Sequence, residues 1–97
     1  MNEDETVMKA AGHRIMILYF AWVREIVGME QEFYDLPADV SDLRGLMAIL
    51  ARRNAAFLEI FSKPEQLRMA VNNEYCGPEA AVGPGDEIAF FPPVTGG

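Results

Sequence analysis

The group in this sequence that is best placed to react is the carboxylate of its last residue, Gly97. Gly96 and Gly97 have no Cβ, so they can lie in a narrow channel and leave both faces of the terminal carbonyl open to attack. An α-carboxyl has a pKa of about 3.3–3.7, so at neutral pH it is an anion and a poor electrophile. Acyl chemistry at Gly97 would therefore first require activation of the carboxylate.

The other side chains that could carry out chemistry lack partners at a useful spacing. Cys76 is the single cysteine, and no histidine is placed by a motif to activate it, so it fits a small packing residue better than a nucleophile. The aspartates and glutamates do not have the spacing of a metal-binding loop, and Gly83-Pro84-Gly85 is a turn because no G-K-[ST] follows. We predict no metal site and no catalytic site inside the folded part of the chain.

A strand-like run and two prolines precede the terminal glycines. Pro92 and Pro93 lack a backbone N–H and fix φ, so a strand over Glu87–Phe91 must end at Phe91 and the chain must continue in an extended course. Six extended residues at about 3.1 Å each reach roughly 18 Å, which is enough to enter a cleft of another protein. We predict a functional tail made of Pro92, Pro93, Val94, Thr95, Gly96 and Gly97.

Composition limits what this tail is attached to. The chain has 97 residues, 51% of them hydrophobic, which supports one domain with a single core. The longest apolar run is too short for a membrane span and the first residues are acidic, so we expect a cytoplasmic protein without a membrane partner. The formal net charge of −7 should repel nucleic acid. Residues 1–13 show no periodicity and are expected to be a disordered leader or a vector-derived remnant.

The first half of the chain predicts two strands and a main helix. Arg14–Phe20 is apolar on both alternating faces, as in a central strand; Ala21–Val27 has helical spacing and ends at Gly28; and Glu30–Leu36 suits an edge strand. The best helix signal is Ser41–Asn54, with Ser41 expected as the N-cap and Asn54 as a left-handed stop.

The second half predicts a hairpin and the final strand. Ala55–Ser62 should be helical or irregular, Leu67–Val71 a strand, and Asn72-Asn73 a tight turn with positive φ before a short extension, Glu74–Cys76. The order of elements predicts an α+β domain with the helix on one face of the sheet. We expect the first and last strands to be parallel central neighbours.

Two stretches carry a resemblance to a known family. FAWVREIVG at 20–28 and, above all, GDEIAFFPPVTGG at 85–97 closely resemble the small subunit of molybdopterin synthase, and the similarity extends over about residues 14–97. It implies a ubiquitin-like β-grasp fold, with a mixed sheet of four to five strands on one main helix in residues 14–91 and an extended Gly-Gly tail in residues 92–97.

The resemblance also implies a function in molybdenum cofactor biosynthesis. Gly97 would be adenylated with ATP by an E1-like adenylating enzyme, converted to a thiocarboxylate by a sulfur donor protein, and would give its sulfur to a cyclic pyranopterin precursor in the active site of the synthase large subunit. The chain would bind no permanent cofactor, would not be an enzyme on its own, and would form a two-plus-two heterotetramer with the large subunit.

The family's apolar docking patch corresponds to Phe20, Tyr75 and Phe91 in this sequence, and Arg24 is a further candidate for partner contact. Alternatives remain open at this stage. Phe20 and Tyr75 could be ordinary core residues, and Arg24 could simply be solvated. The chain could also be a thiamine-type sulfur carrier, a ubiquitin-like protein modifier, or an interaction module with an inert tail.

Overall fold

Five strands, three α-helices and one short 3₁₀ helix make up the computed structural model, which describes residues 13–94. The predicted leader before His13 and the last three residues of the predicted tail lie outside the described residues. In chain order the elements are β1 (Arg14–Tyr19), α1 (Ala21–Val27), β2 (Gln31–Asp35), α2 (Leu43–Arg53), α3 (Ala55–Phe61), the 3₁₀ helix (Pro64–Gln66), β3 (Arg68–Val71), β4 (Glu74–Cys76) and β5 (Glu87–Phe91).

The sheet has the strand order β2-β1-β5-β3-β4, which places the first and last strands side by side at its centre. β1 and β5 are parallel, with pairs from Met16 opposite Glu87 to Tyr19 opposite Phe90, and the other neighbours are antiparallel. The predicted central parallel pair, the edge position of β2 and the α+β class are therefore confirmed. Parallel neighbours need a crossover, and all the elements between β1 and β5 supply it.

Strand alternation assigns one sheet face to the helices. Ile15, Ile17 and Tyr19 of β1 and Ile88 and Phe90 of β5 are buried against the helical layer. The helices contribute buried side chains at the predicted helical spacing, among them Leu43, Leu46, Leu50, Phe57 and Ile60. Each such side chain contributes about 1.5–3 kcal/mol by leaving water, so this face holds the hydrophobic core.

Both predicted caps of the main helix are wrong. Asp42, not Ser41, is the N-cap of α2, since its carboxylate accepts a hydrogen bond from Gly45 N at 2.8 Å. Ser41 lies one residue before the cap, and its carbonyl accepts a hydrogen bond from Val82 N at 3.0 Å. Asn54 has φ −151° and ψ 125° rather than a left-handed conformation, and its side chain caps α3 by accepting from Ala56 N. An extended Asn54 lets α3 begin at the next residue.

One polar network lies on the helical side of the sheet. The hydroxyl of buried Tyr19 donates to Glu32 Oε2 at 2.5 Å, and Arg53 donates to both Glu32 oxygens at 3.0 and 2.7 Å. The network joins β1, β2 and the end of α2. Partial burial by itself raises the pKa of Glu32, but the hydrogen bonds from Arg53 and Tyr19, together with the Arg53 charge, outweigh it, so the pKa lies below its ordinary value. Burial, followed by the bond to Glu32, raises the pKa of Tyr19.

This network predicts a loss of stability in acid. A carboxyl whose pKa is lowered by folding stabilises the native state above its unfolded pKa, about 4.3, and that contribution disappears as the pH falls through the folded pKa. Glu32→Gln should therefore lower the free energy of unfolding by about 1–3 kcal/mol at neutral pH, and the difference from wild type should shrink in acid. Urea unfolding at a series of pH values measures both. The matched control is Glu30→Gln, because the Glu30 side chain is largely exposed and its pair with Arg24 is 3.6 Å apart. A pH-independent effect of Glu32→Gln would contradict the prediction.

Candidate functional site

The candidate site is the end of the sheet where β5 finishes and the tail leaves it. β5 ends at Phe91, as the two prolines predicted, and Pro92–Val94 have no regular secondary structure. Pro92 and Pro93 are half-buried, whereas Val94 is 72% exposed. Thr95, Gly96 and Gly97 lie outside the described residues. The described part of the tail thus passes from a central strand to solvent within three residues.

The start of β5 is held by a pair of side chains, here called the Asn72–Asp86 clamp. Asn72 Nδ2 donates to Asp86 Oδ1 at 3.0 Å, Asp86 Oδ2 accepts from Gly83 N at 2.8 Å, and Asn72 Oδ1 accepts from Glu87 N at 3.0 Å. Asn72 and Asn73 have the positive φ values predicted for the turn, 52° and 70°. The clamp therefore ties the turn between β3 and β4 to the first residues of β5.

The far end of β5 is held by the core. Phe90 stacks on Tyr19 with 6.3 Å between ring centroids and packs on Phe61 at 5.5 Å. The carbonyl of Phe90 accepts from Phe20 N at 3.1 Å. Because both ends of β5 are fixed, the point at which the tail begins has a defined position relative to the surrounding surface.

The aromatic residues predicted to bind a partner lie near this point. Tyr75, on the edge strand β4, is 68% exposed, and its ring centroid is 5.2 Å from that of half-buried Phe91. Phe20, directly after β1, is 45% exposed. The alternative interpretation of Phe20 and Tyr75 as core residues is therefore wrong. Their role in partner binding stays a prediction, and the exposure of Phe20 and Tyr75 is compatible with it.

A backbone feature next to Phe20 was not predicted from the sequence. Ala21 has φ 52°, in the left-handed region that costs a non-glycine residue about 1–2 kcal/mol. This turn takes the chain from β1 directly into α1 and leaves the Phe20 side chain outside the core. Alanine has no propensity that would indicate such a turn, so no signal in the sequence could have located it.

Arg24, the fourth predicted partner-binding residue, lies on α1. Its guanidinium is 3.6 Å from the Glu30 carboxylate, and both side chains are largely exposed. An exposed pair of this kind contributes at most about 1 kcal/mol to stability. Arg24 can therefore exchange Glu30 for another partner at little cost. A partner-binding role for Arg24 stays a prediction.

Cys76 has the surroundings of a packing residue. It is half-buried beside the core, and burial raises the pKa of its thiol; the nearby Glu79 charge raises it further, and a backbone hydrogen bond involving Val71 only partly offsets this. Within residues 13–94, no group of three or more potential ligands could hold a metal ion. No helix in the same part of the chain combines the length and apolar character needed to cross a membrane.

Comparison with known proteins identifies the family. The profile of the ThiS family matches residues 17–97. The chain belongs to the ThiS family. The molybdopterin synthase sulfur carrier subunit of Escherichia coli is 42% identical to this ThiS-family protein over 85 residues, which cover 86% of this chain and 99% of that protein. The predicted resemblance to the small subunits of molybdopterin synthase is confirmed.

Solved structures show the same fold. SAMP1, small archaeal modifier protein 1 of Haloferax volcanii, superposes with a TM-score of 0.69 at 25% identity, covering 87% of this chain and 99% of that one. Subunit 1 of the molybdopterin-converting factor of Helicobacter pylori, solved in a complex with subunit 2, gives a TM-score of 0.59 at 24% identity and covers 87% and 99%. The ubiquitin-like β-grasp fold predicted for this ThiS-family protein is confirmed.

The clamp in this ThiS-family protein predicts that exchanging both of its side chains restores stability that is lost when either one is changed alone. Asn72→Asp places two carboxylates face to face and Asp86→Asn places two amide groups there, so each should lower the free energy of unfolding by about 1–2 kcal/mol. The double exchange, Asn72→Asp with Asp86→Asn, restores one donor and the required acceptors at unchanged net charge, and should recover most of that loss. Chemical denaturation of the four proteins gives the coupling free energy. Additive losses in the double variant would show that the two side chains do not act as a pair.

The environment of Cys76 predicts slow chemistry at its thiol. Because burial raises its pKa, alkylation by iodoacetamide near neutral pH should be slower than for free cysteine. The urea-unfolded chain is the control and should react at the free rate. Mass spectrometry over a time course measures both rates. Faster alkylation in the folded protein would instead indicate an activated thiolate.

Proposed function

We propose that this ThiS-family protein is the sulfur carrier subunit of a molybdopterin synthase, with Gly97 as the C-terminal residue that carries the sulfur. The observation that carries the proposal is the 42% identity, over nearly the whole length of both chains, to the Escherichia coli protein of that name. The fold supports it, since the sequence PPVTGG directly follows β5, a strand at the centre of the sheet.

The proposed chemistry begins with activation of Gly97. An E1-like adenylating enzyme joins the carboxylate to the α-phosphate of ATP with loss of pyrophosphate, which gives an acyl-adenylate. A persulfide sulfur of a donor protein then bonds to the acyl carbon as AMP leaves, and a thiol cleaves the sulfur–sulfur bond to release the thiocarboxylate. In the active site of the large subunit, this group gives its sulfur to the cyclic pyranopterin precursor.

The chain itself contributes position rather than catalytic side chains. Pro92 and Pro93 reduce the conformational freedom of the tail, which lowers the entropy cost of ordering it in a partner. Because Gly96 and Gly97 have no Cβ, they can pass through a narrow entrance to a partner's active site. Phe20, Tyr75 and Phe91 form the apolar surface that docks on the large subunit and on the adenylating enzyme, and Arg24 is a further partner contact.

The Helicobacter pylori protein of the same fold was solved together with subunit 2 of its converting factor. We propose a partner of that kind for this chain, in a two-plus-two heterotetramer, with the catalytic residues on the large subunit.

A second candidate function is protein modification. SAMP1, which shares the fold at a TM-score of 0.69, is named a modifier. The same activated acyl carbon of Gly97 could be attacked by a lysine amine, which would give an isopeptide bond in place of a thiocarboxylate. The two functions differ in the nucleophile that meets the adenylate, and they predict different products.

Reconstitution tests the proposal. With ATP, the adenylating enzyme and the sulfur donor, the intact mass of the wild-type chain should rise by the difference between sulfur and oxygen, and addition of the large subunit should convert the pyranopterin precursor. Deletion of Gly97 should abolish conversion because the reacting carbon would fall short of the active site. The melting temperature of the deletion variant is the control, and it should equal that of wild type.

The possible products separate the two candidate functions. Conjugates of higher mass, without a thiocarboxylate, would support the modifier and contradict the sulfur carrier. If neither product forms although all the partners are active, both candidate functions are contradicted.

A further inference from the structure

The sheet face opposite the helices, here called the outer face, is apolar near the tail. Two rows of side chains cross it there. In the first, Phe91 of β5 pairs with Arg68 of β3, and Phe20 extends β1 beyond the Tyr19–Phe90 pair. The second row runs from Gln31 through Leu18, Ala89 and Ala70 to Tyr75. Among the described residues of these two rows, Arg68 is the one charged side chain.

Arg68 has no carboxylate partner among residues 13–94. Arg14, Arg24, Arg53 and Lys63 each have a carboxylate within 4.0 Å, whereas Arg68, like Arg44 and Arg52, has none in this part of the chain. Its side chain is exposed, and Nη1 donates to the Leu67 carbonyl at 2.9 Å and weakly to the Pro64 carbonyl at 3.5 Å. A guanidinium has five N–H donors, so within residues 13–94 most of the Arg68 donors have no acceptor.

Covering the outer face changes the environment of Arg68. A partner that buries Phe91 also removes water from its cross-strand neighbour, because side chains directly opposite in an antiparallel pair are about 5 Å apart. A buried cation without a counter-charge is strongly unfavourable, so the partner must supply an acceptor. A carboxylate fits best, since its two oxygens match the fork of the guanidinium and its charge neutralises the cation.

We propose that Arg68 pairs with a carboxylate of the synthase large subunit at the centre of the interface formed by Phe20, Tyr75 and Phe91. This inference rests on the proposed function, because it takes the large subunit as the protein that covers the outer face. The chain carries a net charge of −7, so its long-range field favours a basic partner surface. Arg68 reverses the sign locally and therefore fixes the orientation in which the two proteins dock.

Affinity measurements on the full chain and the purified large subunit of the same organism test this pairing, without ATP or sulfur transfer. Arg68→Glu should weaken binding by about 100-fold or more, since two carboxylates would meet. Arg68→Leu should weaken it about 10-fold because the partner's carboxylate would lose its counter-charge, although the outer face becomes more apolar. Arg68→Lys should lie between wild type and Arg68→Leu, because it keeps the charge but not the fork.

Arg44→Glu is the matched control. Arg44 is exposed, has no carboxylate within 4.0 Å among the described residues, and lies in the first turn of α2, where a glutamate suits the helix dipole. It makes the same charge change on the helical layer rather than on the outer face, and should leave the dissociation constant unchanged. Melting temperatures of all variants, measured alongside, separate a loss of folding from a loss of binding.

The outcomes distinguish this inference from the proposed function. If folded Arg68→Leu binds the large subunit as tightly as wild type or more tightly, Arg68 has no carboxylate partner and the inference is overturned, while sulfur transfer by the wild-type chain would still stand. An effect of the Arg68 variants on the adenylating enzyme alone overturns it as well. If the wild-type chain does not bind the large subunit at all, both the inference and the proposed function fall.

Discussion

The parallel pairing of β1 with β5 is the constraint on which the rest of this structure depends. It places the last strand in the centre of the sheet, between β1 and β3, where Met16 N donates to the Asp86 carbonyl and Phe20 N to that of Phe90. A strand at the end of a chain commonly frays, but here hydrogen bonds on both sides and a buried aromatic core hold it. Pro92–Val94, the described part of the tail, therefore leave from a strand that is fixed at both of its ends.

Alternation along β5 places Phe90 in the core and Phe91 on the outer face. Phe90 faces the helices and is fully buried, while Phe91 faces the other side and meets Tyr75. A slip of one residue in the register would exchange these two environments, so the register has to be strongly specified. It is specified at the start of the strand by the Asn72–Asp86 clamp and along its length by Ile88 and Phe90 in the core. These contacts stabilise the fold and at the same time present the outer face.

The two faces of the sheet also differ in their charged side chains. The ionic network Tyr19–Glu32–Arg53 lies on the helical side, where it joins β1, β2 and α2. In the two rows of the outer face beside the tail, Arg68 is the one charged side chain among residues 13–94, in a chain with a net charge of −7. Neither region provides an activated nucleophile, and the pKa of Cys76 is shifted away from reactivity.

The sequence by itself determined the strands, the short helix ended by Gly28, the positive-φ turn at Asn72-Asn73, and the end of β5 at Phe91. These features follow from alternation, from the special backbone preferences of glycine and asparagine, and from prolines that cannot extend a sheet ladder. They are local, so the residues that cause them are neighbours in the chain.

Only the tertiary structure decided the features that depend on distant residues. Asp42 replaces Ser41 as the cap because Ser41 is held by Val82, and Asn54 is extended because it begins a second helix. The exposure of Tyr75 follows from its place on an edge strand, and Arg68 stands beside Phe91 through an antiparallel register that joins residues more than twenty positions apart. The sequence pattern indicates which face of its own strand a residue occupies. Which residue lies beside it on the next strand is decided only when the sheet assembles.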